Sequence, residues 1–232
     1  MLKVFCARSM HVPVAALSGP FAKNASTTAP DIVFEPMGGL QARLAAGETA
    51  DVLILAAPTI DTLARSGALV PDSRADVARA PIGVAIRDGA PAPDITTPET
   101  FKTALIAAHT IALSDPAVGG SAGIYLRDLF GRMGLAELIA AKTRPQKSGV
   151  MAANAVGRGE AELAITFIPE LLQGKGTRIL GPLPPPYDHA VAYAAGVSTH
   201  TGLLDEARGF IATLTAPDAR PVWVAAGFEV GS

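Results

Sequence analysis

The sequence predicts an α/β protein made of two doubly wound sheets, on three observations. Short apolar strands alternate with helical segments along the whole chain, the third strand is apolar on both faces, and glycine-rich turns recur where strands give way to helices. A strand apolar on both faces must be covered on both sides, and helices flanking a parallel sheet supply that cover. The 232 residues accommodate one large or two small domains, because single cores stop growing at roughly 250 residues.

Taken in order, Val4-Phe5-Cys6-Ala7 reads as the first strand and Val12 to Phe21 as a helix, with Pro13 tolerated in its first turn. Asp31 to Phe34 is the second strand. Gly38-Gly39 opens a helix from Leu40 to Ala46 whose Leu40 and Leu44 fall four apart, and Gly47 stops it. Asp51 to Leu55 is the third strand, followed by a helix from Thr59 to Ser66. Ile82 to Ile86 forms a further strand, Gly89 to Asp94 a turn-rich connection and Pro98 to Ala108 a helix. A second set of units runs through the strand Thr110 to Leu113, the glycine-rich loop Gly119 to Gly123, helices Ile124 to Met133 and Val150 to Gly157, and the strand Ala161 to Phe167. Ile179 to Pro186 is an extended, proline-stiffened crossing, His189 to Val197 a strand, and two helices near Leu203 to Thr213 and Ala216 to Ala226 close the chain. This order predicts one lobe from residues 1–80 with 190–232 and another from 81–189, with crossings near 80–83 and 186–190.

Composition narrows the function. The formal net charge of −2 gives no electrostatic reason for a nucleic-acid partner. No apolar run approaches the roughly 20 residues needed to span a bilayer, so no membrane association is expected. The single cysteine, Cys6, lies in the first strand and reads as a buried, inert thiol. There is no Walker loop, no cysteine–histidine metal spacing, no Gly-x-Ser-x-Gly elbow and no dinucleotide fingerprint. Neither a metal nor a cofactor is expected. Because Leu2 to Cys6 already reads as strand, the N-terminus predicts a cytoplasmic protein, or a periplasmic one whose leader has been removed. A monomer is expected.

Three strand-to-helix turns carry the candidate chemistry: Arg8-Ser9-Met10, Pro36-Met37-Gly38-Gly39 and Gly119-Gly120-Ser121-Ala122-Gly123. In open α/β sheets ligands gather beyond the carboxyl ends of the strands, and unpaired N–H groups at helix starts attract anions. Each turn taken singly is more often ordinary turn or cap chemistry. Their recurrence points to a small anion held in a cleft.

Cys6-Ala7-Arg8-Ser9-Met10, Gly38-Gly39-Leu40 with Ala46-Gly47-Glu48-Thr49-Ala50-Asp51-Val52, Asp115-Pro116 with Ala122-Gly123-Ile124-Tyr125, Glu162 to Ile165 and Ala226-Gly227-Phe228 together resemble the molybdate-binding periplasmic proteins. The resemblance spans essentially the whole chain and implies the type II periplasmic-binding-protein fold, with a ligand cleft between two lobes. It also implies which groups hold the anion: hydroxyls from the first two turns, backbone N–H groups from the second lobe, and a tyrosine. Ser9 matches the first serine, and Ala122 and Val150 match the backbone donors. Met37 stands in place of the second serine, and Phe167 replaces the tyrosine. Lost hydroxyl donors cost a desolvated anion about 1.5–3 kcal/mol per charge-assisted bond, whereas Arg8 beside Ser9 offers a fork suited to a planar carboxylate. Arg8, Ser9, Met37, Gly38, Gly39, Ser121, Ala122, Gly123, Ser148, Val150 and Phe167 are therefore the candidate ligand residues. Transfer of the ligand to a transporter follows only for an exported protein.

The pattern also resembles a branch that includes aconitate isomerase, which implies an alternative: a cofactor-independent enzyme moving a proton on a small polycarboxylate. That chemistry needs cations for carboxylates and one placed acid or base. His11, His109, His189, Tyr125 and Tyr193 are the candidates, with His11, just past the first turn, the preferred one. A histidine at position 11 is more often a surface or capping residue, one before a strand, as His109 is, is more often structural or exposed, and His189 serves a hinge as readily as catalysis. Lys147-Ser148 adds a cation and a hydroxyl before the helix at Val150, or is a solvated loop.

Overall fold

The computed structural model describes residues 1–25, 27–118 and 121–231. Strands and helices alternate as β1 (Lys3–Ala7), α1 (His11–Asn24), β2 (Asp31–Glu35), α2 (Met37–Ala45), β3 (Val52–Ala56), α3 (Ala57–Arg65) and the long β4 (Ala75–Arg87). Then come α4 (Pro98–Ala107), β5 (Ile111–Ser114), α5 (Ser121–Arg132), α6 (Ala136–Lys142), β6 (Thr143–Gln146), α7 (Gly149–Gly157), β7 (Leu163–Phe167), α8 (Ile168–Leu171) and β8 (Thr177–Pro182). The chain closes with β9 (Ala190–Val197), α9 (Leu204–Thr215) and α10 (Arg220–Ala225). It divides into two compact units, Met1–Arg79 with Val191–Ser232, and Ala80–Ala190.

In the first unit the strand order is β2-β1-β3-β9. β1 runs parallel to both β2 and β3, with Ala7 opposite Glu35 and Cys6 opposite Ile54. β9 joins β3 antiparallel, Val52 facing Val197. One apolar cluster gathers Phe5, Leu40, Leu53, Leu55, Ile60 and Leu69, with Met37 packed against it. Elsewhere in this unit α1 packs on α9, where the Phe21 and Phe210 rings lie 5.1 Å apart. The buried Trp223 indole donates to the Leu214 carbonyl at 2.9 Å, so its one polar atom is satisfied.

In the second unit the order is β4-β7-β5-β6, and β8 takes the other side of β4. β5 is parallel to β6 and β7, while β4 is antiparallel to β7 and β8. Its core is alanine-rich, with Ala85, Ala112, Ala152, Ala153, Ala155 and Ala164 around Leu171. Small side chains let α7 lie close on the sheet, as the abundance of alanine over aromatics suggests.

The α/β class and its type II binding-protein architecture stand as expected, and the local readings change at β4, β6, α6 and α8. β4 begins at Ala75 rather than Ile82 and continues through Pro81, because extended backbone suits the fixed φ of proline and Ile82 N–H finds the His189 carbonyl at 2.8 Å. β6, Thr-Arg-Pro-Gln, has no hydrophobic alternation to betray it and lies at an edge, where proline is tolerated. α6 and the single-turn α8 were not foreseen. No helix among the described residues is long and apolar enough to cross a membrane.

Candidate functional site

In the first unit the turns after β1 and β2 sit side by side, because the two strands pair in parallel up to Ala7 and Glu35. Arg8, Ser9 and Met10 form a 3₁₀ turn leading into α1, while Met37, Gly38 and Gly39 are the first residues of α2. The Gly39 and Leu40 N–H groups return to the Pro36 carbonyl; those of Met37 and Gly38 have no partner among the described residues. Met37 turns its side chain to the core cluster, so its contribution to any ligand is the backbone N–H rather than a hydroxyl. Arg8 is exposed. The Glu35 carboxyl is held below the usual carboxylate range, first by the hydrogen bond from Arg43 and to a lesser extent by the Arg8 charge, so Arg8 lies within electrostatic reach of this carboxylate.

Ser9 Oγ donates to Tyr193 Oη at 2.7 Å, and Tyr193, on β9, is buried. The tyrosine hydroxyl expected near position 167 is absent, yet a tyrosine hydroxyl stands beside Ser9 in the first unit. Sequence inspection named Tyr193 only as a possible base, because nothing local ties it to a serine 184 residues away. His11 opens α1 with its ring edge-to-face on Phe34, the centroids 4.7 Å apart, and its ring makes no hydrogen bond to a described residue. A general base is normally oriented by such a partner.

In the second unit the candidates cluster at the carboxyl ends of β5, β6 and β7. α5 follows β5 and carries Ser121, exposed, with Ala122 and Gly123 buried beneath it. A side chain at Gly123 would run into the Ser114 carbonyl, so only glycine lets α5 approach the end of β5. Gly119 and Gly120 lie outside the described residues. Ser148 caps α7, its hydroxyl accepting from Met151 N–H at 3.3 Å. In that first turn Ala152 N–H bonds the Ser148 carbonyl, Gly149 N–H bonds the Glu170 carboxyl, and Val150 N–H alone has no partner among the described residues. Lys147 is exposed, and the buried Phe167 ends β7.

Behind this edge lies a polar chain that sequence inspection missed. Thr166 Oγ1, fully buried, donates to Glu170 Oε2 at 2.7 Å and lies 3.3 Å from Ser114 Oγ. Burial pushes the Glu170 carboxyl above its ordinary range, against the hydrogen bonds from Thr166 and Gly149 that pull it down. The one local signal was an acid directly after a buried strand with no cation in Thr166-Phe167-Ile168-Pro169-Glu170-Leu171.

The other candidate bases have structural roles. Tyr125 donates to the Tyr187 carbonyl at 2.9 Å and stacks on His189, the ring centroids 4.0 Å apart. His109 is exposed and its ring pairs with Glu162 at 3.0 Å. Cys6 is buried, and burial pushes its thiol well above the ordinary value. No group of three or more histidine, cysteine or acidic residues that could hold a metal occurs among the described residues.

The model of the bacterial extracellular solute-binding protein family matches residues 2–229. The chain belongs to that family. Its fold is similar to the substrate-binding domain of a putative molybdenum ABC transporter from Clostridium difficile, at TM-score 0.83 and 16% identity over 100% of this chain and 99% of that one. The periplasmic molybdate-binding protein of Azotobacter vinelandii superposes at TM-score 0.76, 22% identical over the full length of both. An aconitate isomerase from Pseudomonas sp is 35% identical over 178 residues, 76% of this chain; the match spans 66% of that relative's own length. The chain thus combines the architecture of periplasmic molybdate binders with a sequence likeness to an aconitate-isomerase branch. Membership of an extracellular family supports a periplasmic or secreted location over the cytoplasmic one read from the N-terminus.

Proposed function

We propose that this solute-binding module takes a small anion, a carboxylate or an oxyanion, at the carboxyl ends of its strands. The observation that carries this reading is that each unit, taken by itself, has a helix start whose N–H groups find no partner among the described residues: Met37 and Gly38 on α2 in the first unit, Val150 on α7 in the second. An unpaired N–H at the positive end of a helix is a ready donor to an anion. Ser9 with its hydroxyl partner Tyr193, and the exposed Arg8, supply further donors in the first unit. Arg8 favours a planar carboxylate, and Met37 in place of a hydroxyl disfavours a tetrahedral dianion. A thermal-shift screen against molybdate, tungstate, sulfate and di- and tricarboxylates tests this. A ligand at 100 times its dissociation constant stabilises the native state by about 2.7 kcal/mol, and the best carboxylate is expected to exceed molybdate. Submicromolar molybdate affinity with no carboxylate binding reverses the order.

The 35% identity to an aconitate isomerase favours a second reading, in which the bound polycarboxylate is isomerised by proton transfer. His11 is the candidate acid or base. Interconversion of cis- and trans-aconitate, followed by ultraviolet absorbance, distinguishes the two readings, since a pure binder leaves the isomers unchanged.

A further inference from the structure

Glu170 is not used by the anion reading, yet it occupies the same helix start. Its carboxyl accepts from Gly149 N–H and Thr166 Oγ1, and Val150, the next residue along α7, carries the N–H that has no partner among the described residues. A side chain at Gly149 would collide with Glu170 Oε2 and Thr166 Oγ1, so the glycine keeps α7 in close contact with this acid. An anion on Val150 N–H and a carboxylate on Gly149 N–H would share the first turn of one helix, and like charges so placed repel. No cation among the described residues bears on the Glu170 carboxyl. α8 packs against α7, β7 and β8, and Ile168 lies against Gly83 of β4. α7, β7 and the Ala80–Ile86 stretch of β4 contain no ionisable side chain, and Arg178 of β8 donates to the Ala90 carbonyl. Lys147, just ahead of α7, is exposed.

Resting on the anion reading above, we propose that Glu170 is a positioning residue that couples anion binding to proton uptake: the anion enters as Glu170 takes a proton from solvent. The buried hydroxyls can serve both states. With Glu170 ionised, Thr166 Oγ1 donates to it; with Glu170 protonated, its O–H donates to Thr166, whose own proton turns to Ser114 Oγ, a contact in which either oxygen can be the donor. Burial holds the Glu170 carboxyl above its ordinary range, the same direction in which a neighbouring anion acts. A nearby anion raises it again, so affinity falls as pH rises between the free and bound values, by up to about tenfold per pH unit.

Isothermal titration with trans-aconitate and, separately, with molybdate tests the coupling from about pH 6 to about pH 9, above the range in which an ordinary carboxyl titrates. Repeating each titration in two buffers of different ionisation enthalpy counts the protons exchanged. Wild type is expected to take up as much as one proton per anion and to lose affinity with rising pH. Glu170→Gln, which keeps an acceptor oxygen but never ionises, is expected to bind with pH-independent affinity and no proton uptake. Binding by wild type with neither proton uptake nor pH dependence overturns the coupling and leaves the anion reading intact, whether or not the variant folds. The same proton uptake in a folded Glu170→Gln also overturns it, by assigning the proton elsewhere. No binding of either probe at any pH removes the anion reading and the coupling with it.

Discussion

At the scale of single residues, the candidate site depends on which donors the fold leaves unpaired. Met37 shows the distinction: its side chain joins the core while its N–H has no partner among the described residues. Ser9 is engaged with Tyr193, so its hydroxyl acts as one of a pair. Arg8 is exposed and forms no ion pair within 4 Å among the described residues, although the Glu35 carboxylate feels its charge. Arg8→Ala should weaken binding of the best carboxylate about tenfold or more, the equivalent of at least roughly 1.4 kcal/mol. Arg8→Lys should restore only part of it, since a point ammonium cannot reproduce the planar fork. Calorimetry on the two variants checks this, and unchanged affinity in Arg8→Ala takes Arg8 out of the site.

Among elements, close approaches of helices to strand ends set the geometry. α7 can lie against Glu170 and Thr166 only because position 149 lacks a side chain. Gly149→Ala should therefore destabilise the protein by about 1–3 kcal/mol, the usual cost of overpacking a well-filled site. Urea denaturation measures that loss, and a neutral result means that α7 shifts freely. In the first unit the chain's far end is essential: α9 packs on α1 through Phe210 and Phe21. Phe210→Ala should cost about 3–5 kcal/mol, visible in the fluorescence of Trp223, the chain's 1 tryptophan, which is buried in the same unit. β4 and β6 show why local patterning stops short of the whole sheet. The early part of β4, Ala75 to Pro81, has no strict alternation and contains a proline, and β6 is a polar edge strand held by its pairing with β5.

For the whole molecule, protonation links the candidate site to stability. Glu170 has a raised pKa in the folded chain and an ordinary one when unfolded, so between the two values the folded state binds more protons. Its effect on stability is therefore lost as pH rises from the ordinary carboxylate value through the raised one. Glu35 and Glu160, held down by Arg43 and Arg158, work in the opposite sense, losing their contribution as pH falls, but both pairs are solvent-screened and weak. Denaturation at a series of pH values should thus show wild type losing stability relative to Glu170→Gln on raising the pH above the ordinary carboxylate value. A constant difference between the two proteins across that range counts against an ionising Glu170.

Much of this architecture was legible in the chain because local patterning reports burial. Apolar runs such as Val52-Leu53-Ile54-Leu55 announce covered strands, and glycines at strand ends announce tight entries into helices. The turns at Arg8-Ser9, Met37-Gly38-Gly39 and Ser121 to Gly123 could be named on that basis. Only the tertiary structure decided their partners. The Ser9–Tyr193 hydrogen bond spans 184 residues, and the Ser114–Thr166 contact spans 52. Periodicity tells which face of an element is buried but not what it is buried against, and hydroxyls and carboxyls owe their chemistry to those partners. Glu170 shows the difference: in sequence an acid in a short turn, in the fold a desolvated carboxyl on the first N–H of α7.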